Sequence, residues 1–479
     1  MNSNSIIKNG FWTTYGAIVN RLFALLSNLL LARLLLPSDF GVISVAYIFW
    51  SFINLFVQGT TGDFLVYKGL EDRRYIDTTY SLSICIGMVG AATMIALSPI
   101  AANFFDIPDL IGLLAFFAFN FFLSSVQAVY AGIMRRKMQY QELANAALIS
   151  SMIRIFTTAG CALAGLSYWS FAIGDTIFWL SIFWITAYQA NFNFYLKIDP
   201  KIRSEALSYC IGSVGSSLGF YINSNSDNFV IGRLLGTTNL GYYNFAYQVT
   251  TAFSLIMSQV MNQLGISVFA QMKDERQQED ALVKVVEQMS YFAALIFAVL
   301  YLIVDKTFII YVFGEKFIPS ASVIPWLLIF AYFRLINTSL SSMMAAKGRP
   351  DINAKVNLQI APLAVVGFLI GAWKGGILGV AIAVVLILGF TWTIFWWWSA
   401  CTTFGWSLFK YLQPCFQALF MSLFALGINF IIPTSKFISP IIYIVLYLLL
   451  VRLLVPNQFF TYLSLIKKLG RKVKQFSFR

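Results

Sequence analysis

Apolar runs of 18 residues or more recur along the whole 479-residue chain, and each is long enough to cross a hydrocarbon layer of roughly 30 Å as a helix. No stretch between them could hold a sizeable soluble domain. Charged residues make up 11% of the chain and hydrophobic residues 59%, against roughly 25% charged in soluble domains. The expected fold is an all-α integral membrane bundle.

The runs place spans near 11–31, 41–62, 79–102, 110–132, 143–164 and 168–190. After the polar stretch 191–205 they continue near 207–235, 241–270, 285–304, 320–345, 354–373 and 376–400, with two more near 411–432 and 437–455. About fourteen transmembrane helices follow. Lys and Arg collect in cytoplasmic loops, so their alternation tests this count. With the N-terminus inside, 24 of the 33 basic residues fall on the cytoplasmic side, six fall opposite, and Arg21, Arg154 and Arg334 lie within spans. Triplets such as Lys68, Arg73 and Arg74, or Arg135, Arg136 and Lys137, predict both termini in the cytoplasm. No small-residue cleavage site accompanies the first apolar run, so no cleaved signal is expected. The net charge of +13 is spread over short loops rather than one face, which argues against a nucleic-acid partner. The basic cluster from Lys467 to Lys474 reads as attraction to membrane lipid headgroups.

The chain repeats itself. Ala32–Tyr47, ARLLLPSDFGVISVAY, aligns without gaps on Gly232–Tyr247, GRLLGTTNLGYYNFAY. In the span that follows, Ser44, Tyr47, Ser51, Asn54 and Gln58 recur at steps of three and four and so share one helical face. Asn244, Tyr247, Thr251, Ser254 and Ser258 stand at the same positions 200 residues later. Two corresponding helices thus direct polar stripes away from lipid, toward a shared cavity. Six spans per half give both copies the same orientation, related by a pseudo-twofold axis along the membrane normal. The predicted organisation is a six-helix lobe over 1–203, a second over 204–402, two additional helices over 403–456 and a basic tail over 457–479.

A charge at mid-bilayer depth costs roughly 2.5 to 3.5 kcal/mol on insertion scales, so its presence points to function. In the first span Thr14, Arg21 and Asn28 share a face. Arg154 lies beside Ser150, Ser151, Thr157 and Thr158, and Arg334 leads into Asn337, Thr338, Ser341 and Ser342. Arginine keeps its charge and offers a planar fork of donors suited to phosphate oxygens. The candidate substrate-binding residues are therefore Arg21, Arg154, Arg334, Asn28, Ser51, Asn54, Gln58, Asn244, Thr251 and Ser258. Pairing of each arginine with a buried acid is the alternative. Asp63, Asp175 and Asp227 are the acids available, and Asp227, in the run NSNSDN, is the candidate for ion coupling. Arg33 and Arg233 are expected to snorkel to the interface.

Histidine is absent, which removes the usual general base and the commonest metal ligand. The five cysteines show no paired spacing and read as packing residues. No catalytic, metal or cofactor site is expected, and no phosphate-binding loop indicates ATP drive.

With KNGFWTTYGAIVNRLFALLSNLLLARLLLPSDFG (8–41) and DNFVIGRLLGTTNLGYYNFAY (227–247), the chain resembles the polysaccharide-transport branch of the multidrug/oligosaccharidyl-lipid/polysaccharide exporter superfamily. The likeness extends over the whole chain, including MRRK after the fourth span. It implies a V-shaped pair of six-helix lobes in the bacterial inner membrane that flips undecaprenyl-diphosphate-linked repeat units by alternating access. It also implies polysaccharide polymerase and chain-length proteins as partners. The family's cationic cavity would fall on Arg21, Arg154 and Arg334. Two other readings differ in what they require. A cation-coupled drug or metabolite antiporter would place acids in control of the cavity, and a polymerase or ligase would carry a large external catalytic loop. The longest external stretch, 305–320, offers only Asp305, Lys306, Glu315 and Lys316.

Overall fold

The computed structural model describes residues 16, 23, 27, 29–57, 61–272, 274–432, 435, 436 and 438–456. Among them there is no strand. The helices are α1 (Pro37–Asn54), α2 (Thr61–Lys68), α3 (Arg73–Phe105), α4 (Leu110–Arg136), α5 (Tyr140–Leu163), α6 (Trp169–Ala190), α7 (Pro200–Leu234), α8 (Thr237–Gln271), α9 (Glu275–Ile303) and α10 (Lys306–Phe313). A 3-10 turn, Glu315–Ser322, leads into α11 (Ile324–Ala346), α12 (Pro350–Val384), α13 (Trp392–Phe404), α14 (Leu408–Ile431) and α15 (Ser439–Leu454). Asp72, Asp199, Asp274 and Asp305 cap α3, α7, α9 and α10 by accepting from backbone N–H groups of the first turn.

Eight helices are long and apolar enough to cross a bilayer; Pro350–Phe404 counts as one of them, and α15 is a shorter apolar helix. That 55-residue stretch is a hairpin. The backbone breaks at Gly376, φ 59°, and Gly371 and Gly379 face each other so closely that a methyl group on either would meet the other's carbonyl oxygen at 2.6 or 2.1 Å. Helices α7 and α8, 35 residues each, and the 18-residue α1 do not reach that apolarity. They line the interior together with α5, α6, α11 and α12. The first expected span lies mostly outside the described residues. The second, expected over 41–62, ends at Asn54, and α2 follows as a separate short helix. Gly62 of α2 lies against Gly132 of α4, with 2.5 Å from a methyl on Gly132 to the Gly62 carbonyl oxygen.

Helices α2 to α6 pack mainly on one another, as do α7 to α14, and α1 joins the two halves by packing mostly along α8. The joint is reciprocal. A methyl on Gly41 would sit 1.9 Å from the Thr237 carbonyl oxygen, and a methyl on Gly241 would sit 1.8 Å from that of Pro37. Positions 37 and 237, like 41 and 241, are partners in the repeat, and such exchange of contacts is what a twofold relation produces.

Around this joint, Arg33 and Arg233 do not simply reach for the interface. Arg33 Nε donates to the Val312 carbonyl at 2.9 Å and Arg233 pairs with Asp106 at 2.7 Å, so each crosses to the other half. Phe317 fills the gap between them, 5.7 Å from the ring of Phe40 and 4.6 Å from that of Phe245. The basic-residue count of the sequence predicts this to be the outer end.

The connection between halves is fastened down. Phe194 stacks on Tyr80 at 4.0 Å. Asp77 accepts from Tyr195 N at 3.1 Å, and Thr78 Oγ1 accepts from Asp199 N at 3.1 Å. The first turns of α7 are held too, by Lys68–Glu205 at 2.7 Å and by Tyr209 stacked on Tyr67.

Replacing both Gly41 and Gly241 with Ala should hold the outer end apart. With a single cysteine at Ser44→Cys in a cysteine-free background, labelling from outside by an impermeant maleimide should rise at least about tenfold, the effect of a 1.4 kcal/mol bias between two states. Unchanged labelling would show that the joint absorbs the methyl groups.

Candidate functional site

Two polar cavities lie inside the bundle, one in each half. The N-terminal cavity, about 310 Å³, is lined by Ser44, Tyr47 and Trp50 of α1, Arg154 and Thr158 of α5, and Asp175 and Trp179 of α6. Gly174 lets α6 approach α5: a methyl there would lie 1.9 Å from Thr158 Oγ1. The next residue, Asp175, consequently meets Arg154 at 2.6 Å. Tyr47 Oη donates to the same carboxylate at 2.5 Å and accepts from Arg154 Nη2 at 3.3 Å. Arg154 is therefore paired with a buried acid, and the charge of this cavity is compensated within the protein.

The C-terminal cavity, about 400 Å³, is lined by Asn223 and Asp227 of α7, Tyr247 and Ser258 of α8, Arg334 and Asn337 of α11, Asn353 and Asn357 of α12, and Trp392 at the start of α13. Gly219 brings α7 against the α12 backbone, 2.6 Å from the Leu358 nitrogen to a methyl built there. The close approach permits a chain of amides. Asn223 Nδ2 donates to the Asn357 carbonyl at 2.9 Å and to its side chain at 3.1 Å, and Asn357 Nδ2 donates to Asn353 Oδ1 at 2.8 Å. Trp392 Nε1 donates to Asn357 Oδ1 at 3.2 Å.

The charged groups of this cavity are held apart. Arg334 Nη1 donates to Tyr247 Oη at 2.5 Å, and among the described residues no carboxylate lies within ion-pairing distance of it. Asp227 accepts instead from Tyr243 Oη at 2.7 Å and from Asn228 N at 2.8 Å.

The expected single cavity with three arginines is thus divided. Arg154 and Arg334 stand in separate cavities, and Arg21, Asn28 and Gln58 lie outside the described residues. Asp227 and Ser258 do join Arg334. Ser51 is half-buried and Asn54 buried on α1, and neither lines these two cavities. Thr251 is buried and donates to the Tyr247 carbonyl; Asn244 is buried with its Nδ2 unpartnered. Among the acids considered, Asp63 pairs with Arg135 at 2.6 Å. The sequence places Tyr47 and Tyr247 in the two cavity-facing stripes, but they are not among the candidate binding residues. Sequence reasoning also passed over Asn353 and Asn357, whose spacing of four at the start of an apolar run was a readable signal.

Fold and cavities define a class, a multi-pass membrane transporter rather than an enzyme, with charged pockets enclosed by apolar helices. The profile of a family described as polysaccharide biosynthesis protein matches residues 30–322, and the chain belongs to that family. It is 22% identical to the lipopolysaccharide biosynthesis protein WzxC of Escherichia coli (strain K12) over 399 residues, 80% of this chain and 78% of that one. It is also 22% identical to the teichuronic acid biosynthesis protein TuaB of Bacillus subtilis (strain 168), over 73% of each. Among solved structures, the lipid II flippase MurJ in an inward closed conformation superposes with a TM-score of 0.74, covering 93% of this chain and 99% of that one. At 14% identity that likeness is one of fold.

Asp175→Asn should strip Arg154 of its counter-ion. The Arg154 side chain is 36% exposed, so screening holds the expected loss to roughly 1–3 kcal/mol. It would appear as a lower Tm in detergent, and adding Arg154→Leu should restore part of it. Strictly additive effects would show that the pair is not coupled.

Proposed function

We propose that this protein flips undecaprenyl-diphosphate-linked polysaccharide repeat units across the bacterial inner membrane by alternating access. The observation that carries the reading is the pair of polar, charged cavities buried in an apolar bundle, on either side of a reciprocal glycine joint. A charged, amide-rich interior has no packing purpose in lipid, where such groups are costly. Membership of a polysaccharide biosynthesis family supports a glycan cargo, and the fold shared with a lipid II flippase supports a lipid-linked one.

In this reading, residues 1–203 and 204–402 are the moving lobes, 403–456 an added pair of helices, and 457–479 a basic tail. Both termini are cytoplasmic. Arg334 contacts an anionic group of the cargo, and Asp227, the acid lining its cavity, is the place for a coupling cation. A polymerase and a chain-length protein would receive the flipped unit.

The test is reconstitution. Proteoliposomes should move a fluorescent undecaprenyl-diphosphate-linked oligosaccharide between leaflets faster than empty liposomes, and Arg334→Gln should slow this about tenfold, near 1.4 kcal/mol of lost interaction. Wild-type vesicles no faster than protein-free ones would end the proposal.

A further inference from the structure

The two cavities differ in what they offer a ligand. In the N-terminal cavity Arg154 is neutralised by Asp175, and much of the remaining wall is aromatic, with Trp50 and Trp179 6.1 Å apart. In the C-terminal cavity the Arg334 fork has a phenol for a partner and no carboxylate within ion-pairing distance among the described residues. In the same cavity, Asn223 is 5% exposed, yet its Oδ1 accepts no hydrogen bond from any described residue. A buried acceptor left empty is costly, and a hydroxyl donor entering the cavity would satisfy it.

A guanidinium with no ion-paired carboxylate among the described residues, in one cavity with an unfilled amide oxygen, selects for a ligand that is both an anion and a hydroxyl donor. A diphosphate meets only the first condition. It would bring more than one negative charge to a cavity with a single arginine and with Asp227 in its wall, and its oxygens would face the Asn223 acceptor without a proton to give. A sugar carboxylate needs one fork, which arginine grips with two parallel bonds, and the ring hydroxyls match the amides. A space of about 400 Å³ is in the range of small-ligand sites.

We propose that the C-terminal cavity binds an acidic sugar of the translocated glycan, with its carboxylate on Arg334 and a ring hydroxyl donating to Asn223 Oδ1. The proposal rests on the flippase reading and adds a substrate class to it: repeat units that contain a uronic acid or a comparable carboxylated sugar.

The test uses the purified full-length protein in detergent with three probes, methyl β-D-glucuronide, methyl β-D-glucoside and inorganic pyrophosphate, read by the shift in thermal unfolding. The glucuronide should stabilise the wild type at concentrations at least tenfold lower than the glucoside, and pyrophosphate should not displace it. Arg334→Gln and Asn223→Ala should each weaken the glucuronide effect at least tenfold, with Arg334→Lys weakened less than Arg334→Gln. Equal responses to glucuronide and glucoside, or displacement by equimolar pyrophosphate, would overturn the site, and both are read on the wild type alone. Loss of the effect in Arg154→Gln but not in Arg334→Gln would also overturn it. Translocation of a glucuronate-bearing lipid-linked glycan is measured in parallel. Movement without glucuronide binding defeats the site and leaves the flippase, whereas binding without movement defeats the flippase.

Discussion

In hydrocarbon no water is present to satisfy a polar group, so every N–H, carbonyl, hydroxyl and charge must find its partner inside the protein. Helices meet this condition for the backbone, and the side chains of this chain show how the rest is met. Ser44 donates to the Phe40 carbonyl, Thr251 to Tyr247 and Ser258 to Ser254, each folding its hydroxyl back onto its own helix. The polar face of α8 is therefore largely self-satisfied, and it can line a cavity or pack against a neighbour at little cost. Groups too large for that solution, the arginines, aspartates and asparagines, are drawn to one another. Their mutual attraction fixes which faces of α1, α7, α8 and α11 turn inward.

The same constraint shapes the joint between halves. Close backbone approach needs small residues, and the repeat supplies them twice: Gly41 against Thr237 and Gly241 against Pro37. Dispersion across such a contact is individually small but dense, and it is bordered by ties from Arg33 and Arg233 to the opposite half. The connection 191–199 is bound to α3 by backbone and ring contacts. Any change in lobe angle must then be taken up by the helices and the joint, not by a slack tether.

Much of the fold was legible because lipid exposure writes itself as uninterrupted apolar sequence. The hairpin at Gly376, the long helix α9 and the helix α15 all stand where apolar runs placed them. Legibility failed where a helix faces other helices. The break between α1 and α2 left no apolar signal, because it serves a glycine contact with α4. The site was legible as residue types and not as pairs. Arg154 and Asp175 were both visible, but their meeting depends on Gly174 bringing two helices together. Arg33 and Arg233 were recognised as equivalent, yet their partners Val312 and Asp106 lie 279 and 127 positions away.

The sequence repeat sets Tyr47 and Tyr247 at matching places, and the partners around them separate the chemistry of the two cavities. Tyr47 and Tyr247 are repeat partners and each holds an arginine, but the arginine comes from α5 in one half and α11 in the other. In the N-terminal half the tyrosine also bonds the acid, drawing Asp175 onto Arg154. One turn earlier stands Ile43, which has no hydroxyl to offer. Its counterpart 200 residues on is Tyr243, and that second phenol takes the acid Asp227 for itself. With the carboxylate held one helical turn away, Arg334 keeps a charge that no acid within ion-pairing distance answers among the described residues. The acids are not repeat partners, since Asp175 lies on α6 and Asp227 on α7, so the two halves reach different charge states through where their acids and arginines sit: in one an ion pair closes, and in the other Tyr243 holds the acid away from the arginine.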